Sequence, residues 1–188
     1  YRAYSITKTS LKSDILKLIK ENLNSKTKYN HLLRIAVNKK ILSISLRKRI
    51  KPNLKFELKL VNLKRQKPEF KNLKYKEILK HLSKIDNSRT DIGLCSDNKI
   101  FETGTSNLLF IKNNKIFSPI NNFYKGTTYK FFKSKIKKII KKDISLNSLK
   151  KFDEIILIGS GKGLASVKTI NQIKWKRKNL KIYKILYK

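Results

Sequence analysis

The residues of this 188-residue chain that could do chemistry concentrate in two short segments. Four of its six glycines fall in YKGTTYK (124–130) and IGSGKGLAS (158–166). Each sets hydroxyls and backbone N–H groups beside residues free to take unusual dihedrals. The first opens a predicted helix at Thr127–Thr128. A helix N-terminus carries unpaired donors and partial positive charge, which makes it a ready anion site. The second follows a buried apolar strand, where a glycine-rich turn can form an anion nest. Taken alone, either segment reads as an ordinary turn. A nucleotide-binding P-loop fails on spacing: it needs Gly five residues before Gly161 and Ser or Thr after Lys162, but position 156 is Ile and position 163 is Gly. Acidic residues are scarce, 12 against 47 Lys and Arg, so each is worth locating. Glu102 ends the run KIFE and precedes Thr103-Gly104-Thr105-Ser106-Asn107. On composition alone it reads as a turn carboxylate balancing lysine neighbours. Composition cannot rank the lysines, because there are 40 of them.

The elements that must position these residues follow from periodicity. Leu11, Ile15, Leu16, Ile19 and Leu23 form one helical stripe over 11–23. HLLRIAV (31–37), ILSISLR (41–47) and KFELKLVNL (55–63) read as short strands, so the opening third is expected to be a helix with a small antiparallel sheet. The polar stretch KRQKPEFKN (64–72) reads as an interdomain linker, followed by a helix near 73–85. Strands are expected at 91–96, 99–103, 107–112 and 115–119. Asp97-Asn98 and Asn113-Asn114 supply tight hairpin turns. A helix over 127–142 would present Phe131, Phe132, Ile136, Ile139 and Ile140. A short helical stretch at 145–151, a buried strand at 153–159, the piece SVKTI (166–170) and a terminal helix at 179–187 complete the chain.

The formal charge of +35 invites a nucleic-acid reading. The cations are 40 Lys and only seven Arg, spread along the whole chain. Arg, not Lys, makes the bidentate contacts that nucleic-acid surfaces favour. The charge is therefore read as a solvated, lysine-rich surface, with a basic nucleic-acid-binding module as a remote alternative. One Cys excludes a disulfide framework and a Cys-rich zinc site, and no metal site is expected. No apolar run approaches the roughly 20 residues needed to cross a bilayer. The chain contains no Met, from which its natural N-terminus is expected to lie upstream.

In order and spacing, four segments resemble the class IV aminotransferases, pyridoxal-phosphate enzymes of fold type IV. Branched-chain and D-amino-acid aminotransferases and 4-amino-4-deoxychorismate lyase are among them. PEFKNLKYKEIL (68–79) looks like the family's Lys-x-Leu segment. KIFETGTSNLLFIKNNKIFSP (99–119) is similar to its glutamate turn, Ser-Asn-Leu strand and following hairpin. YKGTTYKFF (124–132) is similar to its Gly-x-Thr helix start, and FDEIILIGSGKGLASV (152–167) to its strand and phosphate turn. The resemblance implies an α+β fold. A truncated small N-terminal α+β domain (1–66) would precede a larger pseudo-barrel, cofactor-binding domain (67–188).

Carried over residue by residue, the resemblance makes Lys71 the lysine that forms the internal aldimine with pyridoxal 5'-phosphate. Glu102 would hold the pyridine nitrogen, keeping it protonated so that the ring acts as an electron sink. Gly126, Thr127, Thr128, Gly159 and Ser160 would cradle the phosphate, and Tyr75 is a candidate for the ring's phenolic oxygen. The chain departs from the family at Tyr129, where Arg is usual, and at Lys162 and Gly163, where small and acidic residues are common. The family's phosphate-binding Arg would lie upstream of Tyr1, and Arg2 is displaced from it. The expected activity is transamination between an amino acid and a 2-keto acid, branched-chain-like. The alternative is aminodeoxychorismate lyase, which releases 4-aminobenzoate and pyruvate for folate synthesis. The Lys-x-Leu and Ser-Asn-Leu segments and the short tail after Trp175 resemble the lyase somewhat more. The resemblance also implies a small amino-acid-like substrate, a cytoplasmic homodimer, and neither membrane nor nucleic acid as partner.

Overall fold

The computed structural model describes residues 8–37, 41–70, 75–136 and 138–187. They divide into two compact units, Tyr1–Arg49 and Ile50–Lys188. The first contains helix α1 (Lys8–Asn22) and an antiparallel pair, β1 (His31–Val37) and β2 (Leu42–Lys48). Its register sets Leu33 opposite Leu46, Ile35 opposite Ile44 and Val37 opposite Leu42. Because side chains alternate along a strand, these six apolar residues share one face. On α1, Leu11, Ile15, Leu18 and Ile19 are partly buried, as is Leu23 just after it, whereas Leu16, expected on that stripe, is exposed.

The second unit is built on one mixed sheet. Its strands are β3 (Phe56–Asn62), β4 (Thr90–Ser96), β5 (Lys99–Thr103), β6 (Asn107–Lys112), β7 (Lys115–Ser118), β8 (Ile139–Lys141), β9 (Glu154–Gly159) and β10 (Gly163–Ile170). They run in the order β5-β4-β3-β10-β9-β6-β7-β8, and the short β11 (Trp175–Lys176) pairs with β10. The parallel pairs are β3 with β4, β3 with β10, and β7 with β8, while the hairpins are antiparallel. The sheet curls so that strands far apart in this order share one core. Ile100 of β5 is buried in one cluster with Leu58 of β3, Phe110 of β6, Leu157 of β9 and Val167 of β10. The other face is covered by α3 (Thr127–Lys135) and α4 (Lys181–Tyr187) over Leu109, Ile111, Ile156 and Ile158. Helix α2 (Lys76–Leu82) seals Ile92 and Leu94 with Ile78.

The expected hairpin turns form for the expected reason. Asp97, Asn98, Asn113 and Asn114 all take positive φ, between 48° and 58°. Two consecutive left-handed residues match the strand twist, and Asn and Asp tolerate that region best among side-chain-bearing residues.

Three further expectations fail. The strand at 55–63 is expected in the opening antiparallel sheet, yet β3 lies between β4 and β10 in the large sheet, parallel to both. Its buried residues, Phe56 and Leu58, belong to that inner core. The helix expected over 127–142 stops at Lys135. Ile136 is extended, with ψ of 121°, and the β-branched Ile139 and Ile140 pair with Ile116 and Phe117 at the sheet edge. Phe131, expected on the apolar face of that helix, is 56% exposed, and Tyr129 is buried instead.

Candidate functional site

Glu102 reaches its position through an irregularity in the β4–β5 pairing. Ile100 pairs with Cys95 and Glu102 with Leu94, so Phe101 is an extra residue on β5. A bulge of this kind re-aims the following side chain. Ile100 points into the inner core, while Glu102 shares a face with Leu94 outside it. Glu102 is only 3% exposed. Its carboxylate accepts a hydrogen bond from Arg65 Nε at 2.8 Å and a longer one from the Tyr124 N–H at 3.4 Å. Burial pushes the Glu102 carboxyl above the usual glutamate value, and the Arg65 guanidinium beside it pulls in the opposite direction. Arg65 therefore works to keep a desolvated carboxylate ionised.

The run from Thr103 to Asn107 joins Glu102 to the two glycine segments. It is folded on itself: Thr103 Oγ1 accepts the N–H groups of Ser106 at 2.8 Å and Thr105 at 3.2 Å. Asn107 then braces the approach to α3. Its Nδ2 donates to the Tyr124 carbonyl at 2.5 Å, and its Oδ1 accepts the Gly126 N–H at 3.2 Å. Gly126 is the N-cap of α3 and no side chain caps that helix, so its first-turn N–H groups are available to an anion. Thr127 is exposed and Thr128 half-buried beside them.

The second segment forms the turn 160–162 between β9 and β10. Gly163, at φ +67°, takes the left-handed position that such a three-residue hairpin loop requires. Gly159 packs so closely on the 103–107 run that a Cβ would stand 2.6 Å from Ser106 Oγ. Ser160 is exposed beyond it. Six of the residues expected from the sequence thus gather around one turn: Glu102 precedes it, Gly126 with Thr127 and Thr128 is tied to it by Asn107, and Gly159 with Ser160 abuts it. Lys71, the seventh, lies outside the described residues. Tyr75 immediately precedes α2 and packs with Ile78, Ile92 and Leu94.

Sequence reasoning missed three participants. Arg65 sits in the stretch read as a linker. Asp91 and Lys162 form an ion pair of 2.8 Å with side chains 0% and 2% exposed. Scarcity was the available signal, since Arg65 is one of seven arginines and Asp91 one of 12 acids. The Arg-to-Tyr departure at 129 also has a structural counterpart. The Tyr129 hydroxyl is buried against Lys141 Nζ, which also donates to Ser118 Oγ at 3.0 Å. Lys141 of β8 thus supplies a cation beside this tyrosine.

The donor set suits a ligand that is anionic at one end and carries a protonatable ring nitrogen at the other. An uncapped helix N-terminus, hydroxyls and a glycine turn serve the first, and a buried carboxylate serves the second. A Cβ on Gly159 would collide with Ser106, and one on Gly126 would stand 3.1 Å from Asn107 Oδ1. The residues present therefore fit pyridoxal phosphate.

Comparison with known proteins defines the class. The chain matches the profile of the family described as Amino-transferase class IV over residues 4–170. It belongs to that family of pyridoxal-phosphate-dependent enzymes. Among solved structures, a branched-chain aminotransferase from the archaeon Thermoproteus uzoniensis, determined with norvaline, superposes with a TM-score of 0.73 at 14% identity. It covers 99% of this chain and 74% of its own. A putative 4-amino-4-deoxychorismate lyase from Legionella pneumophila gives 0.69 at 17% identity, covering 92% and 72%. An aminotransferase from Brucella abortus bound to pyridoxal phosphate gives 0.59 at 15%, covering 78% of this chain and 57% of its own. These likenesses confirm the curled α+β fold of type IV. No curated protein matches the chain significantly. Among the described residues, no helix is long and apolar enough to cross a membrane.

Proposed function

We propose that this chain is part of a pyridoxal-phosphate-dependent aminotransferase, branched-chain-like, that moves an amino group between an amino acid and a 2-keto acid. The observation that carries the reading is the buried Glu102–Arg65 pair, joined through Tyr124 and Asn107 to the uncapped N-terminus of α3. When bound, pyridoxal phosphate supplies an electron sink for charge developing at the substrate's α-carbon. Glu102 holds a proton at the ring nitrogen by offering it a fixed carboxylate, and Arg65 keeps that carboxylate ionised. Gly126, Thr127 and Thr128 bind the phosphate through N–H and hydroxyl donors, as do Gly159 and Ser160. Lys71 would supply the amine toward the aldehyde and a carrier for the α-proton, roles that a lysine can fill where desolvation or neighbouring cations favour its neutral form. The reading includes a cytoplasmic homodimer acting on small amino-acid-like substrates.

A second reading, aminodeoxychorismate lyase, is favoured by Lys71-Asn72-Leu73 and Ser106-Asn107-Leu108, which resemble the lyase segments, and by the likeness to the Legionella structure. The protein should develop a visible absorption band with pyridoxal phosphate that Lys71→Ala abolishes. Absence of the band from the wild-type protein defeats both readings. Keto-acid formation from leucine supports transamination, and pyruvate release from aminodeoxychorismate supports the lyase.

A further inference from the structure

The loop that would present Ser160 to an anion has little to hold it. Gly161 and Gly163 flank its centre, Ser160 is exposed, and nothing lies within 4 Å of a Cβ built on Gly163. Glycine on both sides gives the backbone wide conformational freedom. Yet the lysine at the middle of the loop has a side chain only 2% exposed. Lys162 Nζ donates to Asp91 Oδ2 at 2.8 Å and to Thr105 Oγ1 at 3.1 Å, and lies 5.3 Å from the centre of the Phe56 ring.

Asp91 is equally well provided for. Its Oδ1 accepts the Ile92 N–H at 2.8 Å, and its Oδ2 also accepts from Thr105 Oγ1 at 2.5 Å and Thr103 Oγ1 at 3.0 Å. The network therefore ties three segments: the start of β4, the 103–107 run that follows Glu102, and the β9–β10 loop. A buried ion pair is a poor device for stability alone, because an apolar pair of similar volume often does as well. Its better-attested use is to fix one register among several. Here the alternatives are the many conformations open to Gly-Lys-Gly.

Resting on the family reading above, we propose that Lys162 is a positioning residue: paired with Asp91, it anchors the glycine-flanked loop in the conformation that presents Ser160 to the cofactor phosphate. The ammonium is engaged by Asp91 Oδ2 and Thr105 Oγ1, and we assign Lys162 no part as a phosphate ligand or as a rival to Lys71 as nucleophile.

The test uses Lys162→Met alone and with Asp91→Asn. The single variant leaves Asp91 buried without its cation and should lower Tm. The double variant removes both charges, while the amide introduced at position 91 keeps a side-chain oxygen for the threonine donors, and it should recover most of that Tm. Two readouts are then taken on the double variant: Kd for pyridoxal phosphate from the absorption band, and amide hydrogen exchange. The proposal expects Kd to rise at least tenfold, and exchange at Ser160–Gly163 to accelerate at least tenfold while β6 is unchanged. A Kd within twofold of wild type, or unchanged exchange in the loop, overturns it, because the pair is then structural only. If the wild-type protein fails to bind pyridoxal phosphate, the family reading of the site falls and, with it, the claim of presentation to phosphate. The exchange arm still decides whether Lys162 anchors the loop.

Discussion

Arg65→Met should expose the cost of holding Glu102 as a carboxylate. The side chains are 15% and 4% exposed, so the pair is largely removed from water. Deleting one partner of such a pair destabilises by about 3–5 kcal/mol if the remaining charge must persist. Glu102 need not stay charged, however. Burial already raises its carboxyl value, and Arg65 is what opposes that rise. Without Arg65 the value climbs further, and each added unit is about 1.4 kcal/mol between the two protonation states. The sign follows from proton counting. Above the ordinary glutamate value the unfolded chain has lost the proton that the folded state still holds, so stability falls as pH rises toward the folded-state value. The variant falls further than the wild type. Its deficit should be small near the ordinary glutamate value and grow as pH rises past the folded-state value, toward a plateau no greater than about 3–5 kcal/mol, the cost of a charge left unpaired. Urea unfolding at closely spaced pH values measures this directly. Pairing Arg65→Met with Glu102→Gln should remove the dependence. A deficit equal at pH 4.5 and pH 8 would show that Arg65 acts by packing alone, and the electrostatic reasoning would be wrong.

Gly159→Ala places its Cβ 2.6 Å from Ser106 Oγ and 3.2 Å from the Thr105 carbonyl oxygen. A loss of about 1–3 kcal/mol is expected, with partial recovery on adding Ser106→Ala; chemical unfolding of the single and double variants checks it. Cys95 is buried and burial pushes its thiol up to about 12. At pH 8 the folded protein should resist a disulfide-exchange reagent and react with one equivalent only in denaturant, and rapid native labelling would contradict this. Raising NaCl from about 0.01 to 0.1 M shortens the screening length from about 30 to 10 Å. With a net charge of +35, relief of surface repulsion should outweigh weakened exposed pairs such as Lys99–Asp143, each worth about 0–1 kcal/mol. A Tm that falls with salt would mean that attraction dominates.

How far the sequence could be read depended on the range of the interaction. The hairpin turns were legible because Asp97-Asn98 and Asn113-Asn114 specify their own dihedrals. The existence of β3 was equally local, but its partners were not. Alternation in 55–63 says which residues share a face and nothing about which strand lies beside them. Its parallel neighbours come from residues 90–95 and 167–169. The segment after α3 satisfied a helical period and a strand pattern at once, and the free edge of β7 decided between them. Glu102 and the glycine segments were found through their scarcity together with the ordered resemblance to the family, composition alone reading Glu102 as a turn carboxylate. Arg65 and Lys162 were not, since a cation's burial depends on what the fold brings opposite it. Asp91 meets Lys162 across 71 positions.

The charge distribution gains meaning from where the scarce acids are placed. Among the described residues the buried acids are Asp91, Glu102 and Glu154. Each faces positive potential at a junction between elements. Asp91 takes the Lys162 ammonium, and Glu102 takes the Arg65 guanidinium. Glu154 accepts the N–H groups of Ile182 at 2.9 Å and Tyr183 at 3.0 Å, holding the N-terminus of α4 on β9. Unpaired, a buried carboxylate at any of these positions would be costly. Paired, each discriminates between the native junction and one shifted by a residue. The chain thus places carboxylates where conformational choice must be made, and leaves much of its lysine at the surface. That outward field favours approach by anions, while Asp91 and Glu102 both lie buried beside the donor-rich turns.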